Sequence, residues 1–345
     1  MSGLSAERTS GGGPGEPGGS PGGLRVALDV SPLRLTRAGS ARYIEGLRRE
    51  LPKHVELREQ AWGGSGRATA ALRDAVWYPL GLRRATRDAD VLHCPTFRAP
   101  LGSSVPTVVT VLDLAVLRHP ELFNRWNRVY SRLAVPRVVR AARRVIAISE
   151  FTKRELVELL GVDPDRVSVI GVPPLVEFVA EGPRAEGEYV LAVGTLEPRK
   201  NLERAADAAL RAGVELRVVG ARGWGGVSPN GVRWLGEVDD DELARLLRGA
   251  RALVYPSLYE GFGIPILEAM SVGTPVVTSR GGATEEVAGG AAVLVDPLDA
   301  ASIAAGIDDA HRRRGELRVL GLARARSFSW DDVARRTVEV YEAAL

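Results

Sequence analysis

Two acidic side chains, Glu260 and Glu268, bracket a short glycine-rich turn in the stretch Ser257-Leu258-Tyr259-Glu260-Gly261-Phe262-Gly263-Ile264-Pro265-Ile266-Leu267-Glu268-Ala269-Met270. Gly261 and Gly263 let the backbone approach a ligand closely. Pro265 suits the first turn of a helix, and the free N–H groups at such a start make an anion site. Two carboxylates beside phosphate-binding amides suit a ligand with hydroxyls at both ends and a diphosphate between them, a nucleotide sugar. A second stretch, Gly194-Thr195-Leu196-Glu197-Pro198-Arg199-Lys200-Asn201, puts two adjacent cations between a strand end at Gly194 and a helix start near Asn201. Cations there neutralise a departing diphosphate, a task Mg²⁺ performs elsewhere. They are unfavourable for the helix dipole, and that small penalty is itself a hint of function.

The elements around these stretches place them. Ala252-Leu253-Val254-Tyr255-Pro256 and Val276-Val277-Thr278 are apolar, β-rich runs that read as buried strands. Glu260 then lies in the loop between them and Glu268 about one turn inside a short helix, above the carboxyl end of a strand, where open α/β sheets bind ligands. The first half repeats the pattern. A strand at Leu24–Val30 leads through Ser31-Pro32 and the loop Thr36–Arg42 to a helix near Ala41–Leu51, so Gly39 and Ser40 sit at a helix start facing a crevice. Further strands are expected at Val55–Trp62, Asp90–His93, Pro106–Asp113, Val145–Ser149 and Val167–Ile170. Glu121–Arg144 is a long helical stretch with seven arginines, and Ser149 is the N-cap of a helix at Glu150–Leu160. The pattern restarts after a linker, with strands at Tyr189–Gly194, Glu215–Gly220, Val232–Leu235, Ala252–Pro256, Pro275–Thr278 and Ala292–Val295. Alternating strands and helices imply parallel sheets covered on both faces. The expected division is a disordered tail at 1–23, an α/β unit at 24–180, a linker at 181–187, a second doubly wound unit at 188–328 and a terminal helix at 329–345.

Length and composition bound the rest. A chain of 345 residues favours two domains. Hydrophobic content of 45% and charged content of 26% are ordinary for a soluble protein. No apolar run approaches the roughly 18 residues of a spanning helix. The single cysteine, Cys94, excludes an internal disulfide and a multi-cysteine metal site. A reducing, cytoplasmic location is expected. Residues 24–180 carry 25 Lys and Arg against 16 Asp and Glu, whereas residues 181–345 carry 20 against 25. The basic first half could face anionic lipid on the inner side of the plasma membrane, or be an evenly solvated arginine-rich surface. No nucleic-acid partner is expected. Asp88-Ala89-Asp90 precedes a strand instead of ending one, so it is not read as a metal motif. Asp239-Asp240-Asp241-Glu242 reads as an N-cap and first helical turn. No Walker loop, GxSxG or HExxH is present, and no strand leads into GxGxxG, which argues against a nicotinamide dehydrogenase.

The wording Pro-Ser…Glu-Gly-Phe-Gly…Pro…Glu-Ala…Gly-Thr-Pro-Val resembles the paired-glutamate signature of retaining glycosyltransferases of the GT-B fold, specifically family 4. That resemblance implies two tandem Rossmann-like domains with a cleft between them. It implies transfer of a hexose from a nucleoside-diphosphate sugar to a hydroxyl of a carbohydrate or lipid-linked acceptor, with no metal and no cofactor. By the same resemblance Arg199 and Lys200 meet the diphosphate and Glu268 holds the ribose hydroxyls. Glu260 holds a sugar hydroxyl, and the backbone of Gly261, Phe262, Gly263 and Ile264 holds phosphate and sugar. Gly39 and Gly194 join the donor-binding set. His93 is placed as an active-site histidine against the transferred sugar. Asp113 is placed on the acceptor hydroxyl, although many relatives carry a His where this chain has Leu112. His119, with Arg118, is placed in the acceptor pocket. Gly281-Gly282 with Glu285 and Glu286 is read as support for the cleft. The Thr-Leu-Glu-Pro-Arg-Lys-Asn wording resembles bacterial mannosyl- and rhamnosyltransferases of surface polysaccharide assembly, which points to GDP-mannose. An epimerase or phosphorylase on the same fold, or a non-catalytic nucleotide-sugar-binding protein, is the alternative.

Overall fold

Runs of adjacent apolar residues need cover on both faces, and the molecule supplies it by building two parallel sheets flanked by helices. The computed structural model describes residues 23–345 except 35–38, 65, 67–68, 70–71, 124, 176–177 and 224–230. The expected disordered tail, apart from Gly23, and Thr36, Arg37 and Ala38 of the first loop lie outside the described residues. The first sheet contains β1 (Arg25–Asp29), β2 (Glu56–Gln60), β3 (Val91–Cys94), β4 (Thr107–Val111), β5 (Arg144–Ala147) and β6 (Val167–Val169), in the order β2-β1-β3-β4-β5-β6. The second contains β7 (Tyr189–Val193), β8 (Glu215–Val219), β9 (Val232–Gly236), β10 (Leu253–Tyr255), β11 (Val276–Ser279) and β12 (Val293–Val295), in the order β12-β11-β10-β7-β8-β9. Every strand pair is parallel. β4 and β10 are buried along their whole length. The α/β, doubly wound architecture expected from the alternation is therefore the one observed.

Each sheet reverses its direction of growth once. In the first, β1 leads outward to β2 and the chain returns to place β3 on the other side of β1. In the second, β7, β8 and β9 run outward and β10 is laid on the other side of β7. Loops leaving the carboxyl ends at these reversals diverge and leave a crevice. The loop after β1 enters α1 (Gly39–Glu50). The loops after β7 and β10 enter α4 (Leu202–Arg211) and α6 (Ile264–Ser271).

The remaining helices that matter here are α2 (Arg125–Ala141), α3 (Glu150–Leu160), α5 (Asp240–Gly249), α7 (Gly282–Ala288), α8 (Ala300–Arg312), α9 (Arg314–Arg326) and α10 (Trp330–Glu342). The arginine-rich stretch is shorter than its composition suggests. A tight turn occupies Pro120–Leu122 before α2, and Arg144 already belongs to β5. Ser149 and Asp239 are N-caps, accepting hydrogen bonds from the Thr152 and Glu242 amides; losing such a cap costs about 1 kcal/mol. The last helix crosses back to the first sheet. Its Trp330 ring lies 6.3 Å from that of Tyr43 in α1. A Cβ at Gly46 would come within 2.2 Å of that indole, so glycine in the middle of α1 is what lets the two helices touch. Arg143 and Arg144 donate to the carbonyls of Ala344 and Ala343. Among the described residues no helix is long and apolar enough to cross a membrane.

Candidate active site

Arg199 and Lys200 lie in a tight turn, Pro198–Lys200, at the carboxyl end of β7. Asn201 closes the turn in the left-handed region (φ 59°), which Asn tolerates better than most residues. Its amide donates to the carbonyls of Pro256 and Pro297, at 3.0 and 2.6 Å, and so fixes the turn to the neighbouring loops. The Leu258 amide donates to the Arg199 carbonyl at 2.8 Å. The loop after β7 is thereby stitched to the loop after β10.

Both cations converge on one carboxylate. Arg199 Nη1 lies 2.7 Å from Glu260 Oε2, and Lys200 Nζ lies 2.6 Å from Glu260 Oε1. Arg199 also pairs with Glu197 at 2.8 Å. The Tyr255 hydroxyl donates to Glu260 at 2.9 Å and accepts from Lys200 at 2.8 Å. The Lys200 ammonium lies 5.0 Å from the centre of the Tyr255 ring. Burial works against all these charges. It would raise Glu260, but Lys200 and Arg199 outweigh it and hold the carboxyl down at about 2. Lys200 is lowered from its ordinary value, because burial exceeds the support of a carboxylate shared with a second cation. Two cations held by two carboxylates balance in the ligand-free protein. An added anion would shift that balance and meet fixed positive charge.

Glu268 lies elsewhere on the same loop–helix unit. It is buried in α6 and paired with Arg42, which reaches across from α1. Burial pushes this carboxyl up to about 7, against the pull of Arg42 and with a small push from Asp240. The two glutamates thus occupy opposite electrostatic settings, a feature of functional sites. Arg42 itself was not singled out from the sequence. The available signal was its spacing, three residues after Gly39, which puts both on one face of a helix start.

The glycines stand where the backbone is left-handed or where another part of the chain comes close. Gly263 has φ 121°, a left-handed conformation that favours glycine, immediately before α6, with Pro265 in the first turn. At Gly194, φ is 149° and a Cβ would lie 3.1 Å from Lys200 Cε, so its bareness lets the lysine lie across the strand end. A Cβ on Gly39 would lie 4.0 Å from Ile264 Cδ1, so the starts of α1 and α6 face each other. At Gly261 a Cβ would sit 1.8 Å from the Leu112 carbonyl oxygen, and the Gly261 carbonyl accepts from Ser149 Oγ at 2.8 Å. That glycine serves contact between the two sheet units. The Phe262 side chain is buried edge-on to Phe328, with centroids 5.9 Å apart, leaving only its backbone for a ligand. Glu286 accepts from the Glu150 and Phe151 amides at the start of α3, at 2.7 and 2.9 Å, and so braces the two units.

Of the three remaining candidates in the first half, two stand beside the seam and one does not. Asp113 lies past the end of β4 and accepts from the Ala115 amide at 3.0 Å. Its Cβ lies 2.8 Å from where a Gly261 Cβ would stand. His119 packs edge-on to Tyr259, with centroids 5.4 Å apart, and contacts Glu121 at 3.2 Å. Tyr259 joins these regions by accepting from the Leu114 amide and donating to buried Glu155 of α3. His93 is a correction. It is fully buried, its ring held between the Tyr341 hydroxyl at 2.7 Å and Thr110 Oγ1 at 2.9 Å, and burial pushes its pKa down to about 3. It is a neutral interior histidine joining β3 to α10. The ladder continues to Cys94, paired with Val109, so His93 lies inside the sheet and not at its mouth. His93→Ala is expected to lower unfolding free energy by about 2–4 kcal/mol through a cavity and a stranded Tyr341 hydroxyl, Thr110 keeping its bond to Tyr43, with kcat of the folded protein unchanged. Urea unfolding and initial rates on one preparation test this; lost kcat at full stability would return His93 to the site. In the acidic tripeptide Asp88-Ala89-Asp90, Asp90 is paired with Arg25 at 2.7 Å.

Comparison with known proteins bears on the family and the fold. Residues 37–172 match the model of Glycosyltransferase Family 4, and residues 187–312 match that of Glycosyl transferases group 1. The chain is 31% identical to O-antigen chain mannosyltransferase B of Escherichia coli, over 92% of each chain. It is 32% identical to D-inositol 3-phosphate glycosyltransferase 2 of Catenulispora acidiphila, over 94% of this chain and 84% of that one. Among solved structures it resembles sucrose-phosphate synthase from Thermosynechococcus elongatus, with a TM-score of 0.75 at 19% identity, covering 92% of this chain and 98% of that one. It also resembles Anabaena HepE in complex with UDP-glucose, with a TM-score of 0.70 at 19% identity, covering 92% and 98%. At those identities the structural likeness bears on the fold alone, which is GT-B. With the paired glutamates, the Arg–Lys doublet and a full-length relative in one frame, the chain belongs to glycosyltransferase family 4.

Proposed function

We propose that this glycosyltransferase works with retention, moving a hexose, with mannose favoured, from a nucleoside diphosphate to a hydroxyl of a surface-polysaccharide or glycolipid acceptor. The observation that carries the reading is the convergence of Arg199 and Lys200 on Glu260 at the strand-order reversal, opposite the start of α1. In this reading the diphosphate lies between the α1 and α6 starts, and its growing charge is met by Arg199 and Lys200. The bond from the anomeric carbon to the diphosphate breaks while the acceptor oxygen bonds the same face. The acceptor proton passes to an oxygen of the departing phosphate, so no side chain is a covalent nucleophile. Glu260 orients the sugar by accepting from one of its hydroxyls, and Glu268 accepts from the ribose. Mannose is favoured because a relative matching over 92% of both chains is named a mannosyltransferase.

The test is a screen of GDP-, UDP-, ADP- and dTDP-sugars with lipid-linked acceptors, following diphosphate release and the anomeric configuration of the product. Acceptor-dependent release from GDP-mannose with retained configuration, undiminished by EDTA, is the expected result. Inversion, or sugar interconversion without acceptor, overturns it.

The same reading places the protein in the cytoplasm, against the inner face of the plasma membrane. Helix α2 carries five arginines and no carboxylate, with Val129 and Leu133 exposed among them. Such a face suits anionic headgroups with shallow apolar insertion. Binding to phosphatidylglycerol vesicles is expected at low salt and lost at about 0.5 M, where screening acts within a few ångströms. No binding at low salt removes the membrane from the proposal.

A further inference from the structure

We infer that Arg42 is a positioning residue of the donor site: from the other side of the cleft it holds one oxygen of Glu268, leaves the second for ribose, and so confers preference for ribonucleotides over 2′-deoxyribonucleotides. The inference rests on the reading of Glu268 as the ribose-binding carboxylate.

The geometry is specific. Glu268 is 3% exposed, in a helix whose other residues are Ile, Pro, Leu, Ala, Met and Ser. Its Oε1 is occupied by Arg42 Nη1. Its Oε2 has no hydrogen-bond partner among the described residues, yet it is not sealed from solvent. Arg42 is prevented from turning by a second carboxylate, Asp240 in the first turn of α5, whose Oδ1 lies 2.6 Å from Nη2. One guanidinium from α1 thus bridges α6 and α5 of the other unit. Gly39, on the same face of α1, lies against Ile264 at the start of α6. One fork of the guanidinium holds Glu268 Oε1 and the other holds Asp240, so Arg42 fixes where the gripped oxygen sits and leaves Oε2 to turn toward a ligand.

The consequence follows from charge and geometry. A buried carboxyl prefers to be neutral, and among the described residues only Arg42 opposes that here; Asp240 pushes the other way, and α6 contributes no other titratable group. An ionised carboxylate accepts hydroxyl hydrogen bonds about twice as strong as those between neutral groups. With Oε1 held, Oε2 is the acceptor offered to the ribose. A site built around such an acceptor rejects a ligand lacking the hydroxyl, because the buried oxygen is then left unmatched.

The experiment is calorimetric titration of the intact protein with GDP, UDP and their 2′-deoxy counterparts, at about pH 6 and about pH 8, with donor kinetics alongside. Arg42→Met, Arg42→Lys, Asp240→Asn and Glu268→Gln are compared with wild type. Wild type should favour the ribonucleotide by about tenfold or more, roughly the scale of one charged hydrogen bond. Arg42→Met should bring that ratio near unity, raise donor KM, leave kcat within about twofold, and move the acid-side loss of affinity to higher pH. Arg42→Lys should restore part of the affinity. Asp240→Asn, which loosens Arg42 without touching Glu268, should fall between wild type and Arg42→Met. If Arg42→Met and Asp240→Asn keep the wild-type ratio and pH dependence while Glu268→Gln abolishes the ratio, Arg42 has no positioning role. If Glu268→Gln also keeps the ratio, the ribose reading of Glu268 falls, and the inference with it.

Discussion

Lys200→Ala is expected to lower kcat by about two to three orders of magnitude while changing donor KM by less than about tenfold, the scale of losing one donor to a developing oxyanion. The ammonium is held in place by Glu260 and the Tyr255 hydroxyl at the mouth between β7 and β10. Negative charge on the diphosphate grows as the glycosidic bond breaks. An interaction that strengthens along that path appears in kcat, whereas one equally strong at both ends appears in KM. The substitution also unpairs one side of a buried carboxylate, which can cost about 3–5 kcal/mol when no partner remains. Glu260 keeps Arg199 at 2.7 Å, so the stability loss should be smaller. Thermal unfolding beside steady-state kinetics, with Lys200→Arg as the charge-preserving control, separates the two effects. A raised KM at wild-type kcat would show that Lys200 only holds the ground state.

Glu260→Gln is the second large effect, and it carries a pH signature. It keeps the shape and removes the charge that supports Lys200. Burial already lowers the ammonium, and Arg199 lowers it further. Without Glu260 the lysine should lose its proton at lower pH, so the alkaline fall in kcat should begin earlier than in wild type. At low pH, kcat should be down about 10²–10³-fold, since in the proposed reading Glu260 also orients the sugar through a charged hydrogen bond. Stability runs on a different window. The folded carboxyl titrates at about 2, below the ordinary Glu value of about 4.3. Its contribution is therefore complete above the unfolded value and is lost as pH falls through the folded one. The stability gap between wild type and Glu260→Gln should shrink between about pH 4 and about pH 2. An unshifted alkaline limb with undiminished kcat would remove Glu260 from the chemistry.

Much of this could be read from local pattern. Thr107–Val111 and Val276–Ser279 are β-branched runs too short for helices, and they form buried strands near where the pattern put them. Asp239 and Ser149 precede helices and cap them. Parallel strands cannot be joined by tight turns, so strands separated by helical segments imply parallel sheets. The chemistry-bearing residue types were equally visible, because a glycine before a proline-led helix and two adjacent cations at a strand end are local features.

Which side chains meet was decided only in three dimensions. Arg199 and Glu260 are 61 residues apart. They touch because β10 is laid beside β7 and not beside β9, and strand order is a property of the packed sheet with no trace in local periodicity. His93 shows the same limit from the other side. One more residue of ladder, at Cys94, turned an expected site histidine into an interior one bonded to a helix 248 residues away. Arg42 reads as one more surface arginine in a basic helix until α5 and α6 arrive from the second unit. By itself the sequence determined the elements, the turns and the inventory of charges, since backbone propensity and side-chain period act over a few residues. The pairing of Arg42 with Glu268, the burial of His93 and the closure of Arg199 and Lys200 on Glu260 depend on how two sheets seat against each other, which long-range packing alone sets.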